Sequence, residues 1–176
     1  MSARIGVEIG EAFVGEGPDA AHINTVFGPR EGPVGTAFAT ALATPSTGHV
    51  PFLTVWSPGV PVEPPTLFVN KASIASEVHG RLTWGAAQAG VAEGVTMYMA
   101  NRFDDPKMVD ELARCVLIVA VWVDPQASSP MSVRYNNLKA AHEALAGGHR
   151  AVVDPGEPGA FARWRTGGSP FNPYLD

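Results

Sequence analysis

The feature of this sequence that most constrains its fold is one continuous apolar run, Cys115–Val123. The run is short, uninterrupted and rich in β-branched residues, a pattern that predicts a fully buried strand. It is far shorter than the roughly 20 apolar residues that cross a bilayer, so we expect no membrane segment. The sequence therefore predicts a strand inside the core of a globular domain.

Other segments of strand and helix type alternate along the chain. The segment Ile5–Val14 contains β-branched residues and glycines and ends in a turn at Gly15–Pro18. Three strands are predicted after it, at Ala21–Phe27, Val50–Trp56 and Thr66–Ile74. Two helices are predicted at Pro33–Leu42 and Trp84–Ala100, and a third has a face marked by Met131, Tyr135, Leu138 and Leu145. Interspersed strands and helices favour an α/β (α+β) domain with a mixed sheet and helices packed on one face.

We expect one domain, residues 1–148, followed by a Gly/Pro-rich C-terminal tail, residues 149–176. A chain of 176 residues fits a single core. The tail contains four aromatic residues, and these are uncommon in disordered segments: Phe161, Trp164, Phe171 and Tyr174. The tail is therefore expected to lie over the domain or over a neighbouring subunit.

Charge and composition exclude several classes of partner. The formal net charge is −5 and there is no Lys/Arg run, so nucleic acid is not expected as a partner. Only 16% of the residues are charged, against roughly 25% on average, which favours a surface partly covered in a homo-oligomer.

The single cysteine cannot form an internal disulfide, and the histidines lack metal-site spacing, so no metal is expected. No apolar signal segment opens the sequence, which predicts a cytoplasmic protein.

Strand geometry selects the first candidate binding residues. Successive side chains alternate between faces, so His22 and Asn24 share one face of their strand. By the same rule Lys71 and Ser73 share one face of a later strand. If these positions meet, they offer an acid, a cation and hydrogen-bonding groups to one small polar molecule. The structural alternative is that a lone histidine in a strand packs or hydrogen-bonds without catalysing anything.

A helix supplies one more candidate. Gln88 lies at helical spacing from Trp84, Val91 and Val95, which turns its amide toward the apolar side of the helix. Its structural alternative is a hydrogen bond to backbone. His142 lies among apolar positions of the last helix, and we expect it to serve packing.

Several uncommon short sequence motifs occur in the order found in one protein family. The motifs are Gly10–Pro18 (GEAFVGEGP), Ala21–Asn24 (AHIN), Gly28–Arg30 (GPR), Gly32–Leu42 (GPVGTAFATAL), Thr66–Lys71 (TLFVNK), Ala87–Gln88 and Tyr135–Asn136. In this order they resemble the formaldehyde-activating enzyme family over about four-fifths of the chain, all but the C-terminal tail.

The resemblance implies a fold like the second domain of ribosomal protein S5, and a homopentamer with sites near subunit boundaries. It implies a carbon–oxygen hydro-lyase that condenses formaldehyde with tetrahydromethanopterin, its co-substrate, to the methylene-bridged pterin and water. The family's acid histidine falls on His22. The positions that contact the pterin fall on Asn24, Leu53, Lys71, Ser73 and Gln88.

An imidazole suits the difficult step of such a reaction. A pterin nitrogen adds to formaldehyde and gives a carbinolamine, whose hydroxyl leaves readily only when it is protonated. A histidine, with a reference pKa of about 6.5, can deliver that proton near neutral pH. The second pterin nitrogen then captures the iminium, and holding both amines in place supplies much of the acceleration.

Two of the matched positions depart from the family pattern, which usually has aspartate at Asn24 and threonine at Ser73. Serine keeps the hydroxyl. Asparagine brings two N–H donors where a carboxylate only accepts, and it removes a charge that would favour the protonated form of His22. We therefore expect weaker pterin binding or a less populated acid, and a gain in activity from Asn24→Asp.

Two other functions stay open on the sequence. One is a non-catalytic protein that binds a pterin or a formaldehyde adduct, and the other is a related condensation on a different amine cofactor by the same acid. The loop Val78–Ala86 beside Gln88 also departs from the family, which could change the pterin that is preferred.

Overall fold

The computed structural model describes residues 5–153 and 160–170 and shows a mixed α/β architecture. The strands are β1 (Glu8–Val14), β2 (Ala21–Pro29), β3 (Phe52–Leu53), β4 (Val55–Ser57), β5 (Val60–Pro61), β6 (Thr66–Asn70) and β7 (Cys115–Trp122). The helices are α1 (Pro33–Ala43), α2 (Glu77–Arg81), α3 (Gln88–Arg102), α4 (Pro106–Leu112), α5 (Pro130–Val153) and α6 (Ala160–Arg165). A 3-10 turn, Gly17–Asp19, joins β1 to β2, and a π-helical segment, Leu82–Ala87, joins α2 to α3.

Within the described residues, the largest sheet has five strands in the order β1–β2–β7–β6–β3. β1, β2 and β7 are antiparallel neighbours, β6 runs parallel to β7, and β3 is antiparallel to β6. The long apolar strand β7 is therefore central, and β4 and β5 form a separate two-stranded ribbon.

Helices α3 and α5 cover one face of the sheet and enclose the core. Ile23, Phe27 and Leu117 point toward this layer and are fully buried. Helix α5 lies directly on β1, because Gly10 has no side chain to hold the backbone of Ala144 away. Side chains on this face are consequently closed to a ligand.

Helix α1 lies on the opposite face of the sheet. Gly28 follows the core residue Phe27, so a side chain at position 28 would point to that opposite face. A Cβ built there would lie 3.0 Å from Val34 of α1. The expectation that the helices pack on one face is therefore right for α3 and α5 but wrong for α1. Beyond α1 this side carries half-buried or exposed side chains and is called the open face: Glu11, Phe13, His22, Asn24, Val26, Val69, Lys71, Ile118, Ala120 and Trp122.

Burial along β7 corrects the prediction of a fully buried strand. Val119 and Val121 face the helices and are inaccessible, whereas Ala120 and Trp122 are half-buried on the open face. Both sets of side chains are apolar, so the sequence pattern could not separate a covered face from an open one.

Two predicted helix faces are confirmed only in part: Leu145 of α5 and Val91 and Val95 of α3 are buried, but other members are not. Met131 and Tyr135 are 82% and 59% exposed, because α5 packs through small residues such as Ala140 and Ala144. Trp84 is 54% exposed, because the π-helical segment holds more residues per turn and rotates this side chain away from the buried stripe of α3.

The predicted strand Val50–Trp56 is divided at Thr54 into β3 and β4. The backbone N–H of Thr54 donates to Thr66 O, and its carbonyl accepts from Val62 N–H. Thr54 is thus buried at the point where the chain leaves the large sheet and enters the β4–β5 ribbon.

The end of the chain is described only in part. Helix α5 continues to Val153, and α6 carries Trp164 with 72% of its surface exposed. Phe171 and Tyr174, for which packing over the domain or a neighbouring subunit is predicted, lie outside the described residues. Of the helices that the structure describes, none is both long and apolar enough to cross a bilayer.

Candidate active site

His22 and Asn24 occupy alternate positions on the open face of β2. Ile23 between them is fully buried against the helices, which confirms that the two polar side chains share the other face. The register places Phe13 and Trp122 directly opposite His22 on the two neighbouring strands, and the Phe13 ring meets the imidazole edge-on at 6.0 Å between centroids. His22 therefore lies in an aromatic row and keeps 15% of its side-chain surface exposed.

A carboxylate binds the imidazole of His22. Glu11 of β1 pairs with Asn24 and is diagonal to His22, and its Oε1 lies 2.6 Å from His22 Nε2. This hydrogen bond is the main reason why the pKa of Glu11 is lowered; partial burial opposes the shift, and a bond from Asn24 and the charges of His22 and Lys71 add to it. Glu11 is consequently ionised near neutral pH.

Lys71 reaches across β7 to Asn24. Its backbone N–H donates to Val121 O, and its Nζ donates to Asn24 Oδ1 at 2.8 Å. The residue of β7 that pairs with Asn24 is Ala120. Burial lowers the pKa of Lys71, and the negative charge of Glu11 opposes that effect.

Asn24 links the two charged groups. Its oxygen accepts from Lys71, so only its N–H side can donate toward Glu11, whose pKa Asn24 helps to lower. His22, Glu11, Asn24 and Lys71 thus form one polar chain over the open face, from β1 to the end of β6. An aspartate at position 24 could not donate to Glu11 and would set two carboxylates side by side.

Ser73 belongs to a second hydrogen-bonded group. Its Oγ is 3.0 Å from His49 Nε2, and His49 Nδ1 is 3.0 Å from the carbonyl oxygen of Asn70. A carbonyl only accepts, so Nδ1 carries the hydrogen, and in a neutral ring Nε2 then accepts from the serine. The Ser73 oxygen is left with its lone pairs for a ligand N–H.

Gln88 and Leu53 lie at the β3 side of the sheet. Gln88 Nε2 donates to Val55 O at 2.8 Å, which is the backbone bond that its structural alternative anticipated. Together with Trp56 and Arg134, Gln88 lines a cleft of about 280 Å³. Leu53 is 45% exposed and pairs with Leu67 of β6, the strand that leads to Lys71. Of the predicted site residues, Gln88 therefore lines this cleft, and Leu53 is not among its lining residues.

A larger cleft lies at the other end of the sheet from His22. It measures about 460 Å³ and is lined by Arg30, Glu111, Arg114 and Cys115, among others. Burial raises the pKa of Cys115 to about 11, so its thiol is neutral and a poor nucleophile. This cleft therefore lies apart from His22 and contains no reactive thiol.

The remaining histidines have structural partners. His79 is 1% exposed, accepts from Ala75 N–H and bonds the carbonyl of Val123. His142 packs edge-on against Tyr98, which confirms its predicted packing role. Within residues 5–153 and 160–170, no three His, Cys, Asp or Glu side chains are grouped to hold a metal ion.

Sequence reasoning missed three side chains beside the predicted ones: Glu11, His49 and Trp122. Glu11 lies in the segment Gly10–Pro18 that carries the family resemblance. The alternation of side chains along β1 places Glu11 on the opposite face of the strand from Gly10. His49 and Trp122 carry no local signal, because their neighbours are set by contacts across the sheet.

Known proteins match most of this chain. The model of the formaldehyde-activating enzyme (Fae) family matches residues 9–156. A 5,6,7,8-tetrahydromethanopterin hydro-lyase of Methanosarcina barkeri is 38% identical over 138 residues, which make up 78% of this chain and 76% of that protein.

Longer relatives match as well. A bifunctional enzyme Fae/Hps of Methanosphaera stadtmanae is 37% identical over 78% of this chain and 33% of that enzyme. One from Archaeoglobus fulgidus is 34% identical over 78% of this chain and 34% of its own length. The chain therefore spans about a third of the bifunctional relatives that it matches.

Proposed function

Because the chain belongs to the formaldehyde-activating enzyme family, we propose that it condenses formaldehyde with tetrahydromethanopterin, giving methylene-tetrahydromethanopterin and water. The observation that carries the proposal is the imidazole of His22, which lies on an open sheet face and binds an ionised carboxylate at 2.6 Å. A histidine held in this way is suited to donate a proton near neutral pH.

His22 acts as general acid in this proposal. A pterin nitrogen attacks the formaldehyde carbon and forms a carbinolamine, and the imidazolium then protonates its hydroxyl as the C–O bond breaks and water leaves. The second pterin nitrogen attacks the iminium carbon and loses its proton, which returns the imidazole to its acid form. One proton is used and one is released, so the cycle closes without a redox cofactor.

Five further residues hold the pterin in this proposal, as the family resemblance implies: Asn24, Leu53, Lys71, Ser73 and Gln88. Lys71 and Asn24 support it by lying in one polar chain with His22. Ser73 supports it by offering an acceptor to the N–H groups of a pterin edge. Aligning the two amines of the pterin with formaldehyde supplies the rest of the acceleration.

Loss of the imidazole tests the proposal. Tetrahydromethanopterin and formaldehyde are mixed, and formation of the methylene product is followed above the uncatalysed rate. We expect His22→Ala to reduce the acceleration about 100-fold, the lower end of general acid catalysis. His142→Gln is the matched control, because His142 packs on α5 against Tyr98.

The outcomes separate the candidate functions. A His22→Ala variant as fast as the wild type would contradict acid catalysis by His22. Pterin binding without acceleration by the wild type would favour a non-catalytic binding protein. No binding of this pterin would favour condensation on a different amine.

Asn24→Asp tests the departure from the family pattern. A second carboxylate beside Glu11 favours the protonated form of His22 and pairs directly with Lys71, so we expect faster condensation above neutral pH. The gain is less than about tenfold, because Glu11 already supplies a carboxylate and one pKa unit corresponds to a factor of ten. Initial rates from pH 6 to 9 measure the effect, and an unchanged or lower rate would contradict it.

The finer fold and the assembly are part of the same proposal. The five-stranded mixed sheet with its helices is consistent with a fold like the second domain of ribosomal protein S5. Apolar side chains stay exposed on the sheet and the ribbon, including Ile9 at 68% and Trp56 at 58%, which supports a homopentamer that covers them. Sedimentation velocity measures this state, and a monomer would contradict it.

A further inference from the structure

We propose that Glu11 is the positioning residue of His22: its carboxylate holds Nε2 of the imidazole and thereby fixes the orientation of the ring that acts as the acid. The inference rests on the proposed function, because it assigns a role within the same site. It is carried by the distance of 2.6 Å between Glu11 Oε1 and His22 Nε2.

The strand register makes this contact a fixed feature of the sheet. Glu11 pairs with Asn24, and Phe13 pairs with His22, so the carboxylate approaches the imidazole on a diagonal between β1 and β2. Both groups stand on regular strands, which place side chains more reproducibly than loops do. An ionic hydrogen bond of this length fixes the ring orientation and decides which nitrogen keeps its hydrogen.

The charges of Glu11 and Lys71 act on His22 in opposite directions. Among residues 5–153 and 160–170, Glu11 on β1 bonds His22 directly and Lys71 after β6 bonds the neighbouring Asn24, while Trp122 is neutral and His49 bonds Ser73. Lys71 alone would disfavour an imidazolium. Glu11 places the opposite charge in direct contact with the ring, and its lowered pKa keeps it ionised near neutral pH.

Asn24 keeps the two ions apart. Lys71 Nζ bonds to the Asn24 oxygen, and Asn24 helps to lower the pKa of Glu11. Lys71 is thus held by a neutral group, which leaves the carboxylate of Glu11 to His22. The amide also orients the carboxylate, so the chain presents one charged acceptor to the ring.

Glu11→Gln tests the proposal, because glutamine keeps the shape and an acceptor oxygen but loses the charge. We expect the condensation rate at pH 8 to fall about tenfold, with the apparent KM for the pterin changed less than threefold. The pH above which the rate declines is expected to move down by about one unit, the shift that matches a tenfold loss. A purely structural role would not move the pH profile.

Two further variants sharpen the test. Glu16→Gln makes the same charge change on an exposed side chain after β1 that makes no capping hydrogen bond, and it is expected to keep the wild-type profile. Glu11→Asp restores the charge with a shorter side chain and is expected to recover part of the shift. A Glu11→Gln profile that coincides with that of the wild type would overturn the proposal.

A measurement without substrate separates this proposal from the proposed function. Titration of the His22 ring by NMR in the wild type and in Glu11→Gln is expected to show protonation at a lower pH in the variant. An unmoved His22 titration overturns the role of Glu11, whatever the activity. If the titration moves but the wild type and His22→Ala condense formaldehyde equally slowly, the proposed function fails and the Glu11–His22 coupling stands.

Discussion

Replacing Gly10 by alanine is expected to destabilise the folded protein by about 3 kcal/mol or more, the upper range for an overpacked core. A Cβ at this position would lie 2.7 Å from the carbonyl carbon of Ala144 and closer still to its oxygen. Those atoms are backbone of α5, so they cannot rotate away as a side chain would. The helix would have to move off β1, the strand that carries Glu11.

A graded series of alanine variants checks this expectation by chemical denaturation. At Gly148, where α5 meets β1 from the helix side, a Cβ would lie 3.0 Å from the Ile9 carbonyl carbon, and we expect a loss of about 1–3 kcal/mol. Gly6 has no atom within 4 Å of such a Cβ, so Gly6→Ala is expected to change stability by less than about 0.5 kcal/mol. Equal effects at the three positions would contradict close packing of α5 on β1.

Replacing Arg102 by methionine is expected to cost about 3–5 kcal/mol of unfolding free energy, the usual cost of breaking a buried ion pair from one side. Both Arg102 nitrogens bond the Glu8 carboxylate, at 2.6 and 2.7 Å, and the two side chains are only 12% and 5% exposed. Methionine fills much of the space beside the rings of Phe27 and Phe103, but it leaves Glu8 with His149 as its remaining ion partner.

An exposed ion pair provides the control for Arg102. Arg134 bonds Glu93 at 2.9 Å with 58% of its side chain exposed, and Arg134→Met is expected to cost less than about 1 kcal/mol. Adding Glu8→Gln to Arg102→Met should recover part of the loss, because the unpaired buried charge is then removed. A loss below about 1 kcal/mol in Arg102→Met alone would show that the buried pair contributes little.

Elements with a local signal were predictable from the sequence. The strand at Ala21–Phe27 and the helix beginning at Pro33 are confirmed, and the helix predicted from Trp84 is an α-helix from Gln88 onward, because alternation and helical spacing reflect one element at a time. The buried faces of helices were harder: α5 turns Ala140 and Ala144 inward and leaves Met131 exposed. Close approach to β1 and α3 favours small residues there, and hydrophobicity alone does not report that contact.

The sequence by itself determined that His22 and Asn24 point the same way, since successive side chains of any strand alternate. Only the tertiary structure decided which groups meet them. Glu11 is 11 residues from His22 and Lys71 is 47 residues from Asn24 along the chain. Strand order and register bring each pair into contact. Register and strand order depend on pairing between distant segments, so no local period encodes them. The charge that faces His22 is therefore a property of the folded sheet.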